Sequence, residues 1–179
     1  MDTAKEEKIY TVEDIEALPE GERAELIDGK IYYMSSPSRI HQRISMSIST
    51  DINNYIKANK GNCEVYAAPF AVYLNNNKNS TNYFEPDIFV VCDPTKLDDK
   101  GCHGAPDWII EIVSPSSATM DGFIKLFKYS DAGVREYWVV DPKERKVVVY
   151  KGKEDIKEYT FDDTIPVGIY DNFSIKIEV

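Results

Sequence analysis

The sequence predicts the α/β class: a central sheet whose inner strands are covered by helices, with additional β-hairpins. Three observations lead there. Ile88 to Cys92 and Trp108 to Val113 are short, β-rich runs, apolar at nearly every position, the pattern of strands buried on both faces. Residues 37–59 carry Ile40, Ile44, Ile48, Ile52, Tyr55 and Ile56 at three- and four-residue steps, one apolar stripe of an amphipathic helix. Asp28-Gly29 sits inside Arg23 to Met34, the strongest short hairpin signal.

Bulk composition narrows the class of protein. A chain of 179 residues suits one domain with one well-buried core, and 42% apolar with 29% charged residues indicates neither disorder nor a membrane protein. No apolar stretch approaches the roughly 20 residues that span a bilayer, and the polar start MDTAKEEKIY lacks the apolar core of a signal peptide. Cys63, Cys92 and Cys102 are an odd set without metal-like spacing. Cys92 reads as a small buried hydrophobe, and reduced thiols in the cytoplasm are the expected state. The net charge of −10, from 31 acids against 21 bases, excludes a broadly basic nucleic-acid binder. Any such face is local or assembled by oligomerisation.

In chain order, Thr11 caps a short helix reaching about Leu18, which Pro19-Glu-Gly21 ends. Arg23 to Met34 is the hairpin; on pattern alone its Glu25 is a solvent-facing acid. The long helix takes Ser36 or Ser38 as cap and Pro37 in its first turn. His41, Gln42 and Arg43 lie at its N-terminal end, where free amides can receive a phosphate; an exposed polar first turn explains them equally well. Gly61 ends that helix, and Cys63 to Leu74 continues as a strand. Asn75 to Asn82 is a polar loop, and Pro94 to Pro106 reads as a second loop, whose Cys102-His103 lacks the second pair a zinc site needs. Ser116 or Ser117 caps a helix of about Ala118 to Ala132 that stops at Gly133. Met120, Phe123, Ile124 and Phe127 form its apolar face, while Asp121, Lys125, Lys128 and Tyr129 share the other flank. Val134 to Asp141 and Lys146 to Tyr150 make a hairpin, and Tyr159–Phe161 and Phe173–Val179 are short closing strands.

The chemistry concentrates in residues 84–136. Alternation places Asp87 with Phe89 and Val91 on one strand face, and Asp107, Ile109, Glu111 and Val113 on one face of the next. Glu111 thus has apolar neighbours on both sides. An unpaired carboxylate there would cost several kcal/mol or take up a proton. Two acids on adjacent buried strands call for a positive group between them, and a divalent cation supplies it. For Lys125 the plain alternative is an i,i+4 ion pair with Asp121, and spacing alone does not choose between Lys125 and Lys128.

The order helix, hairpin, helix, strand with Pro86-Asp87, strand with Glu111, helix with lysine, strand resembles the PD-(D/E)XK nuclease superfamily. Within it the chain is similar to the Uma family of restriction-endonuclease-like proteins. The resemblance covers roughly Glu20 to Pro142. It rests on Glu25-Leu-Ile-Asp-Gly29, Ser36-Pro37 with His41, Pro86-Asp87, Glu111-Ile-Val-Ser-Pro-Ser116, Asp121 with Lys125, and Gly133-Val-Arg-Glu-Tyr-Trp-Val-Val-Asp-Pro142. It implies a restriction-endonuclease-like α/β (α+β) fold, a mixed central sheet flanked by helices, in a single domain over 1–179.

The same resemblance implies an endonuclease that hydrolyses phosphodiester bonds of nucleic acid, DNA in the first instance, with Mg²⁺ or Mn²⁺. Asp87 and Glu111 would be the metal carboxylates, with the Ile112 carbonyl a further ligand, and Glu25 an additional catalytic acid. The superfamily lysine two residues after the second acid is replaced here by Val113, and Lys125 on the following helix matches the moved position. His41, Gln42 and Arg43 would meet substrate, with Asp121 and Tyr129 behind the site. A homodimer would suit cleavage of two strands. Ala118-Thr119-Met120 stands where relatives carry basic residues. The alternative from another class is a non-catalytic binding or assembly module on the same scaffold.

Overall fold

The computed structural model describes residues 8–75, 79–114 and 123–179. Helix α1 (Val12–Glu16) precedes the hairpin of β1 (Ala24–Ile27) and β2 (Lys30–Tyr33). Asp28 and Gly29 both take positive φ, +49° and +77°, the turn whose twist matches paired strands. Register sets Glu25 opposite Tyr32, so these two side chains share one face of the hairpin. Helix α2 (Arg39–Ala58) starts at Ser38, whose Oγ accepts from the His41 amide at 3.2 Å.

Strands β3 (Glu64–Ala67), β4 (Ala71–Tyr73), β5 (Ile88–Val91), β6 (Leu97–Asp98), β7 (Gly101–His103) and β8 (Trp108–Ile112) follow. Then come α3 (Lys125–Ala132), β9 (Glu136–Asp141), β10 (Lys146–Lys151), β11 (Asp155–Thr160), β12 (Ile165–Pro166) and β13 (Ser174–Ile175). Among the described residues the main sheet has six strands in the order β11-β10-β9-β8-β5-β3. The β8–β9 pair is parallel and the other pairs are antiparallel, so the sheet is mixed.

Alternation along the inner strands feeds two cores. Ile88, Val90, Trp108, Ile110 and Trp138 face Ile44, Ile48, Ile52 and Ile56 of α2. Phe89, Val91, Ile109, Val113 and Val139 face Leu126 and Tyr129 of α3, with Ile27, Val72 and Phe84 beside them. Acids on the second face therefore lie beneath α3 and the β1–β2 hairpin.

Several expectations are corrected. Cys63 to Leu74 is not one strand: it divides at Ala68–Phe70, where Pro69 offers no amide to a ladder. Its first part joins β5, and its second joins β7 in a smaller sheet of order β4-β7-β6. That sheet also occupies much of the expected loop at Pro94 to Pro106. Cys92 is not a free thiol. It forms a disulfide with Cys63, its neighbour across the β3–β5 pair, where Glu64 faces Val91. Cys102 is the free, buried cysteine, its thiol pushed up to about 11 by burial.

The apolar face expected for the third helix is reversed: Phe123 and Phe127 are exposed, whereas Lys125, Leu126 and Tyr129 are buried. Periodicity weighs hydrophobicity and cannot register that the underlying sheet presents a carboxylate. The helix ends as expected at Gly133, φ +96°. The start expected at Ala118, its Ser116 or Ser117 cap, and Asp121 fall outside the described residues. Among the described residues, no helix is long and apolar enough to cross a membrane.

Candidate active site

Four elements bring the site together. Glu25 comes from β1, Asp87 from the residue before β5, Glu111 from β8 and Lys125 from the first position of α3. The Lys125 ammonium bridges the two glutamates. Nζ lies 2.7 and 3.0 Å from the two carboxylate oxygens of Glu25 and 2.9 Å from Glu111 Oε1. All three side chains are nearly inaccessible, at 5% for Lys125, 8% for Glu25 and 5% for Glu111. Burial of this kind is tolerable because every charge has an opposite charge in contact. Glu25 is thus no solvent-facing acid. Its hairpin is folded over the sheet, and Glu25 Oε1 also accepts from the Glu85 amide at 3.1 Å.

Tyr129, one turn beyond Lys125, donates its hydroxyl to Glu111 Oε1 at 3.0 Å. Burial, reinforced by the Glu111 charge, holds its phenol well above the usual range, so it remains a donor. Asp87 is oriented by two contacts. Oδ2 accepts from the Ile112 amide at 2.7 Å, and Oδ1 lies 3.0 Å from His41 Nε2. The Asp87 amide approaches Glu111 Oε2 at 3.5 Å, which sets the two strand acids side by side.

Glu25, Asp87, Glu111 and Lys125 form the floor of a cavity of about 660 Å³. Ile112, His41 and Gln42 line it; Arg43, the next residue along α2, is exposed and outside the lining. A helix turns about 100° per residue, which carries Arg43 away from the opening. Lys128 is also excluded: it pairs with Asp28 at the surface.

Sequence reasoning missed Arg23 and Glu85. Arg23 lines the cavity and donates Nε and Nη2 to Glu85 Oε2 at 2.8 and 2.6 Å. The second oxygen of Glu85 accepts from the Tyr83 hydroxyl at 2.9 Å. Glu85 stands directly before Pro86-Asp87, and that adjacency is the one signal the sequence offers for it. Tyr32, Tyr33, Met34 and Lys143 also line the cavity and were not singled out.

A family model described as "Putative restriction endonuclease", named Uma2, matches residues 12–175. The chain belongs to the Uma2 family. An uncharacterized protein of Synechocystis sp. is 28% identical over 136 residues, 75% of this chain and 68% of that one. The crystal structure of an Anabaena variabilis protein, described as a "putative nuclease belonging to DUF820", superposes with a TM-score of 0.77 at 23% identity. That match covers 93% of this chain and 94% of the other. The likeness is one of fold, and the fold is restriction-endonuclease-like.

The donor set can be tested against the divalent metal that such a fold implies. Glu25 and Glu111 share the Lys125 ammonium, and Asp87 stands beside them on the Ile112 amide and His41, so carboxylate oxygens are gathered where a divalent cation could be held. The available donors are hard oxygens, those Mg²⁺ and Mn²⁺ accept. Among the described residues, no group of three or more His, Cys, Asp or Glu is placed to hold a metal ion. Two strand carboxylates suit a metal that keeps several waters.

Proposed function

We propose that this chain is a metal-dependent nuclease that hydrolyses phosphodiester bonds, with DNA as its first candidate substrate. The observation carrying this reading is the Lys125 ammonium, held between Glu25 and Glu111 beside Asp87 at the floor of an open cavity. Asp87, Glu111 and the Ile112 carbonyl would hold the metal. When bound, it would polarise the phosphoryl oxygen and lower the pKa of coordinated water.

The chain's own groups divide the remaining work. Lys125 places a fixed positive charge where negative charge grows on the phosphoryl oxygens, or orients the attacking water. Glu25 engages that ammonium with both oxygens, so it positions the lysine. Tyr129 fixes one oxygen of Glu111 and leaves the carboxylate edge directed toward Asp87. His41 and the Ile112 amide hold Asp87 from two sides.

A self-contained ion-pair scaffold would also use the Glu25–Lys125–Glu111 triad, but it gives Asp87 no chemical role. Labelled DNA incubated with Mg²⁺ or Mn²⁺ separates the two. The parent should cleave only with the divalent ion, and Asp87→Asn should lose about a thousandfold in rate. Equal cleavage by Asp87→Asn, or cleavage in excess chelator, would contradict the assignment.

A further inference from the structure

The cavity's walls differ in kind from its floor. The end of β2 supplies Tyr32, Tyr33 and Met34, and the start of α2 supplies Ile40. Tyr33 is 65% exposed and Ile40 39%, so two large apolar surfaces stand in water at the rim of a charged site. Three cations line the same cavity, Arg23, Lys125 and Lys143. Two of them are already engaged: Lys125 with Glu25 and Glu111, Arg23 with Glu85.

Such a wall is poorly matched to a double helix. Duplex DNA presents one negative charge per about 1.7 Å of its axis, and proteins that hold it neutralise several phosphates at once. One exposed lysine and one arginine already paired with Glu85, on a chain of net charge −10, do not. Depth argues the same way. The reacting groups are 5–14% exposed, so a phosphodiester must descend past the rim to reach them, which a flexible strand does and a stiff duplex does not. An exposed tyrosine at the rim of such a cavity is instead a platform on which an unpaired base stacks, whatever its sequence.

Resting on the nuclease reading above, we propose that this cavity takes a single unpaired strand of nucleic acid, with a base stacked on the exposed ring of Tyr33 and a phosphate drawn to Arg23. Arg23 is built for that contact. Glu85 binds its Nε and Nη2 and fixes the guanidinium plane, while Nη1 has no partner among the described residues. The Arg23 carbonyl accepts from the Met34 amide at 2.9 Å, which makes the guanidinium and the aromatic wall one rigid piece.

Fluorescence anisotropy tests this with one labelled oligonucleotide offered as a single strand and as its duplex, in Ca²⁺ to hold turnover low. RNA and DNA versions show whether the sugar matters. The single strand should bind at least about tenfold more tightly than the duplex. Tyr33→Ala, at an exposed position, should weaken single-strand binding about five- to a hundredfold, and Tyr33→Phe should restore it. Arg23→Gln should weaken it and flatten its salt dependence. Tighter binding of the duplex, or no effect of Tyr33→Ala, overturns this inference and leaves the nuclease reading standing. Absence of binding to either form, together with absence of cleavage, overturns both.

Discussion

Glu111 and Glu136 are both acids buried in the parallel pair β8–β9, on opposite faces of one sheet, and they are satisfied in opposite ways. Glu136 is hydrogen-bonded by neutral donors, with the Lys151 ammonium as a charged neighbour. Trp138 Nε1 reaches Oε1 at 2.6 Å, and the amides of Gly168 and Ile169 reach Oε2 at 2.6 and 3.0 Å. Those amides belong to the segment that carries Val167 over the α2-side core, so Glu136 fastens the C-terminal part of the chain to the sheet. Glu111 is instead held by an ammonium that it shares with Glu25, by a phenol, and by the edge of a cavity. The contrast separates a structural fastening from the candidate site. Glu136 is fixed by donors of its own, whereas Glu111 is balanced by a charge it shares and borders a cavity.

Substitutions can break that comparison. The largest effect should follow Lys125→Met, which leaves Glu25 and Glu111 buried without their common cation. Stability should fall by about 3–5 kcal/mol and the cleavage rate by about a hundredfold or more, read by denaturant titration and by single-turnover assay. A variant as active as the parent would reduce the lysine to a structural part. Glu136→Ala should separate the two acids. Three donors lose their acceptor, costing about 1–3 kcal/mol in chemical denaturation, while cleavage per folded molecule stays near that of the parent. A selective loss of rate would show that the two faces are coupled.

The smallest effect is one of pH. Burial, the dominant influence, raises the Glu136 carboxyl above its ordinary value of 4.5. The folded protein therefore binds that proton more tightly than the unfolded chain, and the contribution of Glu136 to stability is largest below the ordinary carboxylate range. It declines as pH rises through the raised value. Glu136→Gln carries no ionisation penalty, so its melting temperature should gain on that of the parent as pH increases across this range. A constant difference would mean that this group ionises alike in both states.

The fold was legible in the sequence where local pattern and burial agree. The Asp28-Gly29 turn, the isoleucine stripe of α2 and the two apolar strands all have a single reading. The candidate site was legible only in part. Glu111 betrays itself as an acid inside an apolar strand and Asp87 as one at the head of another, but Glu25 lies on a hairpin whose closure over the sheet is a tertiary event. Its pattern alone says surface. Lys125 and Lys128 stood equal on the helical wheel, and only the rotation of α3 toward Glu111 separates them. That rotation exposes Phe123 and Phe127, against the hydrophobic pattern. Arg23 and Glu85 are far apart in sequence and meet across the β1–β2 hairpin, so no spacing rule points to their pairing. The Cys63–Cys92 disulfide likewise depends on strand register, which an odd cysteine count conceals.

Calorimetric titration of Mn²⁺ into the parent and into Glu111→Gln tests the central claim most directly, because it reads the metal without requiring a substrate. The parent should take up the ion in a saturable step that Glu111→Gln abolishes or weakens at least about tenfold. Equal uptake by both proteins, or none by the parent, would contradict the claim that Asp87 and Glu111 form a metal-binding catalytic pair.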